Sequence, residues 1–119
     1  MATSIERANV TIASSGTTST AAQVPSGKTL LAVVTPSALT GTAFTFEVSD
    51  DGGTTFKPVY KEATQYSVTV GTSRHVALDA TATRAILGGS AATPTSVKVV
   101  SGSSEAAART ITLVYGIES

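Results

Sequence analysis

Apolar and polar residues alternate along nearly the whole chain, and helical spacing of apolar residues is almost absent. Alternation sends successive side chains to opposite faces of an extended backbone, so it predicts half-buried β-strands. Within residues 8–12, Val10 and Ile12 share one face and Asn9 and Thr11 the other. Residues 42–49 give the clearest pattern: Phe44, Phe46 and Val48 point one way, Thr45, Glu47 and Ser49 the other. The same rule predicts strands at 55–61, 66–70, 75–79, 97–99 and 111–117. Thr and Val are β-branched and suit a pleated surface, so propensity agrees with pattern. Pro58 cannot donate to a ladder, which marks residues 55–61 as an edge strand.

Residues 30–34 (Leu-Leu-Ala-Val-Val) break the alternation, with apolar side chains on both faces. Two readings follow: a central strand packed on both sides, or a strand whose outer face meets another subunit. Leu31 and Val33 are the candidate contact residues there. Turn chemistry separates the strands, most strongly at Asp50-Asp51-Gly52-Gly53. Asp79 is placed to cap a short helical turn over 80–86, and 88–94 reads as a loop. Residues 13–22, nearly all Ala, Ser and Thr, are either a long loop or part of an N-terminal arm. The expected fold is all-β: a single antiparallel β-sandwich over residues 1–119, jelly-roll-like or Greek-key. About eight strands and one short helix would build it.

Composition narrows the function. Eight Lys and Arg balance eight Asp and Glu for a net charge of +0, which disfavours nucleic acid as a partner. Charged residues make up only 13%, against roughly 25% in ordinary soluble domains. A weakly charged surface of small side chains promotes association and suits a subunit inside an assembly. No stretch approaches the roughly 20 apolar residues of a membrane-spanning helix, and residues 1–7 lack the apolar run of a secretory signal. With no cysteine, folding in a reducing cytoplasm is expected.

Candidate chemistry is sparse. His75 is the sole histidine, and Asp79 on the same strand face would stand ~13 Å away, beyond proton-transfer reach. One histidine and no cysteine exclude the usual zinc ligand sets. Asp50 and Asp51 lack the Asp-x-Asp-x-Asp-Gly spacing of a calcium loop and serve equally well as turn residues. The pairs Gly52-Gly53 and Gly88-Gly89 match no phosphate-binding pattern. Phe44, Phe46, Phe56, Tyr66 and Tyr115 all fall on core positions of the alternation; Tyr60 alone is a candidate for a free ring, with a semi-buried position the expectation. No catalytic residue, cofactor or metal site is expected.

The segment 42–60, Thr-Ala-Phe-Thr-Phe-Glu-Val-Ser-Asp-Asp-Gly-Gly-Thr-Thr-Phe-Lys-Pro-Val-Tyr, resembles small virion proteins of tailed bacteriophages. Their strand ending F-x-V-S-x-D-G turns into T-F-x-x-(V/L)-Y. Residues 68–79, 96–103 and 108–114 resemble the later hairpin and the last strand pair in order, so the likeness spans roughly Val24 to Tyr115. The chain departs from that pattern at 87–94. The resemblance implies a decoration or cement protein made in the host cytoplasm and carried on the capsid surface of the virion. Its partner would be the major capsid protein, bridged by loops and an outer sheet face, and on a symmetric shell the protein itself would be a homo-oligomer, dimer or trimer. Leu31, Val33, Asp50, Asp51 and Tyr60 are the interface candidates. Two other readings stand beside it: a carbohydrate-binding module of a tail fibre or adhesin, and a tail or baseplate subunit.

Overall fold

In the computed structural model, which describes residues 5–87 and 94–116, the chain is all-β and its strands pair antiparallel. The expected loop at 88–94 and the strand position Ile117 lie largely or wholly outside the described residues. In chain order the strands are β1 (Ile5–Ile12), β2 (Ala22–Gln23), β3 (Thr29–Val34), β4 (Ala43–Ser49), β5 (Lys57–Pro58) and β6 (Tyr60–Lys61). They continue with β7 (Thr64–Gln65), β8 (Ser67–Thr69), β9 (His75–Ala77), β10 (Ser96–Ser101) and β11 (Arg109–Gly116). A helical turn α1 (Ala80–Thr83) runs into a 3-10 turn (Arg84–Ile86), where the sequence predicts one.

One sheet has the strand order β1-β11-β3-β9. A second has the order β2-β10-β4-β5, with β8 also paired to β4, and β6 and β7 form a small hairpin of their own. A single apolar cluster draws on both large sheets. Val10, Ile12, Leu30, Val33, Leu113 and Tyr115 enter it from the first, and Phe44, Phe46, Val97 and Val99 from the second. Each such side chain contributes roughly 1.5–3 kcal/mol by leaving water. The alternation of 42–49 therefore decides which face of β4 turns inward, as the sequence predicts. The Tyr115 phenol is the exception to an otherwise apolar set: it is fully buried with no hydrogen-bond partner among the described residues, and burial holds its ionisation above the ordinary tyrosine range.

The irregular run in β3 has a local cause. Leu30 pairs with Tyr115 but Ala32 pairs with Val114, so Leu31 is an extra residue opposite a shifted register. Such a bulge resets the alternation. Leu30 and Val33 both point into the core at 0% exposure, while Leu31, Ala32 and Val34 are half-buried on the other side. The strand is central to its sheet, between β11 and β9. Val33 is thus a core residue and not an outer contact, while Leu31 keeps its outward position.

Three further expectations change. The strand expected at 55–61 breaks at Val59, whose side chain turns inward and whose N–H donates to Phe46 O at 3.0 Å. Pro58 does lie on the sheet edge, opposite Glu47. Beyond the break the chain leaves the sheet as β6, so Tyr60 is exposed rather than semi-buried. Phe56 is only partly covered, with the Lys98 ammonium 4.3 Å from its ring centre. The 13–22 segment is a loop linking paired strands: Ser19 N–H donates to Val99 O at 2.8 Å and Thr20 N–H to Thr11 O at 2.9 Å.

Candidate functional site

The turn after β4 is organised from within. Ser49 Oγ donates to Asp51 Oδ1 at 2.6 Å and accepts from Gly53 N–H at 3.0 Å. The same Asp51 oxygen accepts from Thr54 and Thr55 N–H at 3.2 and 2.9 Å. These donors, Ser49 first and the Thr55 amide next, pull the Asp51 carboxyl down to about 2. Gly52 and Gly53 supply the positive φ values of +81° and +89° that close the turn. Asp51 is therefore occupied in holding the turn, whereas Asp50 faces solvent.

Asp50 and Tyr60 come together. Both line a shallow groove of about 250 Å³, with Lys57, Pro58, Ala85 and Thr95 completing its walls. Tyr60 is 54% exposed, so one aromatic ring is available beside a carboxylate and an ammonium group. On the other side of the β6–β7 hairpin a second groove of about 330 Å³ is lined by Lys61, Gln65, Tyr66 and Asp79 among others. There Lys61 Nζ meets Asp79 Oδ2 at 2.7 Å, which holds the lysine above its ordinary range. Tyr66 Oη accepts from Asp79 N–H at 3.0 Å while its ring stacks on Phe46 at 5.9 Å. The hydrogen-bonded partners fix the groove's shape.

The outward face of the β1-β11-β3-β9 sheet is the other candidate surface. Register places Ala32 beside Val114 and Ala77, and Val34 beside Thr112 and His75, with the bulged Leu31 next to them. Asn9 and Arg7 continue the rows on β1, and Thr112 Oγ1 donates to Asn9 Oδ1 at 2.8 Å. The centre of this face is apolar and small; its charge and its lone histidine lie toward the margins. Leu31 belongs to it, while Asp50, Asp51 and Tyr60 belong to the loop end near β5 and β6. The five sequence candidates therefore do not form one site.

The strongest electrostatic feature leaves no trace in the alternation of apolar and polar residues. Glu105 is 1% exposed, yet it is a charged side chain. Its carboxylate accepts from Thr40 and Gly41 N–H, both at 2.8 Å, from Ser101 Oγ at 2.8 Å and from Arg109 Nε at 2.9 Å. Burial would raise its carboxyl, but the two amides, then Arg109 and Ser101, outweigh it and hold the group at about 2. Its main chain also pairs with Ser15 and Gly16, so one residue ties the 13–22 loop to three other segments. Every carboxylate lone pair is directed at a structural donor, which is the chemistry of a clasp.

His75 is exposed on β9, as the sequence predicts. Among the described residues no cluster of three or more His, Cys, Asp or Glu side chains is arranged to hold a metal ion. Among the same residues no helix is long and apolar enough to cross a membrane. Comparison with protein families, with curated proteins and with solved structures found no match.

Proposed function

We propose that this chain is a non-enzymatic β-sandwich protein that decorates a bacteriophage capsid and cements it by bridging capsid subunits. The strand order supports a jelly roll. Setting aside the β5–β7 excursion, the remaining strands run first-eighth-third-sixth in one sheet and second-seventh-fourth-fifth in the other. That is the interleaving two nested Greek keys produce. Fold alone does not give function. The observation that carries the adhesive reading is the outer sheet face centred on Leu31, Ala32, Val34 and Val114, weakly charged and apolar across three adjacent strands. Small side chains of this kind lose little conformational entropy when covered, and many copies on one shell supply strength by avidity. The resemblance of residues 24–115 to tailed-phage virion proteins supplies the setting.

The test mixes purified protein with expanded capsids that lack it. Stoichiometric binding and a higher shell-disruption temperature are expected. Leu31→Lys should weaken binding at least tenfold with an unchanged melting temperature, since Leu31 is half-exposed and outside the core. Failure of the unaltered protein to bind mature shells would sink the cement reading.

One observation favours a second reading, a carbohydrate-binding module. Tyr60 stands exposed over a groove that also holds Asp50 and Lys57, the aromatic-plus-polar arrangement that sugars stack upon. Under that reading a glycan array gives a hit that Tyr60→Ala abolishes, with capsid binding absent. Loss of capsid binding on Leu31→Lys but not on Tyr60→Ala separates the two.

A further inference from the structure

We infer that the open edge of β1 is where two copies of this chain join, strand to strand, across a two-fold axis at Ala8. The inference stands on the geometry of the edge and is independent of the capsid reading.

A sheet edge exposes unpaired N–H and C=O groups, and proteins blunt such edges with short strands, proline, lysine or bulges. The other edge strands here are blunted. β9 and β8 are three residues long, β2 is two, and β5 consists of Lys57 and Pro58. β1 has none of these four, and its two charges are Glu6, ion-paired to Lys28 at 2.8 Å, and Arg7. It is eight residues long, lacks Pro and Lys, and keeps an unbroken register with β11 from Ile5 to Ile12. Among the described residues nothing pairs with its other side except at the C-terminal end. There Thr11 accepts from Thr20 N–H at 2.9 Å and donates to Thr20 Oγ1 at 3.1 Å. Bonding direction alternates along an antiparallel strand, so Asn9, Arg7 and Ile5 present their main-chain groups on that same open edge.

The partner is a second copy because the strand suits itself in one register. Two-fold pairing that keeps inner and outer faces continuous must centre on a residue opposite its own copy. Centring on Arg7 or Glu6 sets like charges directly opposite, which is unfavourable. Centring on Asn9 requires Thr11 groups already bonded to Thr20. Centring on Ala8 sets Arg7 opposite Asn9 on each side of the axis, so two pairs exchange both of their main-chain bonds, and only the outlying Ile5 falls opposite the occupied Thr11 and stays outside the ladder; centring on Asn9 leaves the Asn9 pair alone to bond. Ala8, small and turned toward the core side, meets its copy at the axis. A net charge of +0 leaves no long-range repulsion to overcome. The joined sheet sets the two apolar outer faces side by side, doubling the surface centred on Leu31.

The chain has no cysteine, so one introduced thiol reports on one register. Across the axis the Ala8 pair is of the non-hydrogen-bonded kind, with Cα atoms about 4.5 Å apart, inside the range of roughly 4.4–6.8 Å that a disulfide spans. With oxidised glutathione, Ala8→Cys should crosslink at least tenfold faster than Thr54→Cys, placed in the exposed turn. Adding Arg7→Pro removes an N–H that has no partner among the described residues, and should return the rate to that of Thr54→Cys without lowering the melting temperature. Sedimentation equilibrium of the unaltered protein, which needs no variant to fold, should show twice the 11.9 kDa chain mass at high concentration. A monomer throughout the concentration range, or crosslinking that survives Arg7→Pro, overturns the inference.

Discussion

Glu105→Ala is expected to destabilise the protein by about 3–5 kcal/mol, the usual cost of removing one partner from a buried, hydrogen-bonded ion pair. The Thr40 and Gly41 amides, Ser101 Oγ and Arg109 Nε all lose their acceptor at once. Net stabilities of single domains are about 5–15 kcal/mol, so a loss of this size brings the chain near unfolding. Urea denaturation at pH 7 measures it. The pH dependence is set by the same group. Its folded value of about 2 lies below the ordinary 4.5, so its contribution is complete above about pH 5 and is lost as pH falls toward about 2. At 1.36 kcal/mol per unit the contribution is about 3 kcal/mol. Asp51 adds a limb of the same sign in an overlapping window, since it too is held at about 2 below an ordinary 3.8. Glu105→Gln should flatten the profile between pH 5 and 2, with the Asp51 limb remaining. An unchanged acid limb in that variant would remove Glu105 from its assigned role.

How much of this was legible in the chain depends on whether a signal is local. Phe44, Phe46 and Val48 alternate strictly, and β4 follows them, because a period of two is read residue by residue. The Asp50–Gly53 turn is equally local: glycine tolerates the positive φ that closes it. The bulge at Leu31 is different. Leu30 and Val33 face inward together only because β11 shifts register opposite them, a property of two strands distant in sequence. Tyr60 became exposed because Val59 takes the inward position where the chain leaves the sheet, which reverses the face that alternation from Phe56 assigns. Glu105 sits in a loop of Gly, Ser and Ala with no periodicity, and its partners span residues 40 to 109. The i,i+4 spacing to Arg109 was its only trace, and outside a helix that spacing carries little information. Of the interface candidates, Asp50, Asp51 and Tyr60 are exposed, Leu31 is half-buried on the outer face and Val33 lies in the core.

Gly41→Ala is expected to cost about 3 kcal/mol or more, for a reason unrelated to glycine's backbone freedom. Gly41 is buried beside the Glu105 clasp, and a Cβ built on it runs into Ser101 Oγ while standing 3.2 Å from Glu105 Oε2. Ser101 cannot swing aside without giving up its 2.8 Å bond to Glu105 Oε2. Overpacking costs roughly 1–3 kcal/mol, and displacing the Gly41 N–H from its carboxylate leaves a buried donor unsatisfied at a further cost of about 1–3 kcal/mol. The steric account makes a sharper claim than the single variant. Ser101 Cβ lies 3.4 Å from the added Cβ, an ordinary van der Waals contact, so trimming Ser101 to alanine removes the clash. Ser101→Ala alone should cost about 1.5–3 kcal/mol, because the hydrogen bond it loses is to a charged carboxylate. The double variant should then be more stable than the sum of the singles by about 1–2 kcal/mol, a coupling within the range seen for touching residues. Chemical denaturation of all four proteins closes the cycle. Strict additivity would mean that Gly41 is required for something other than room beside Ser101.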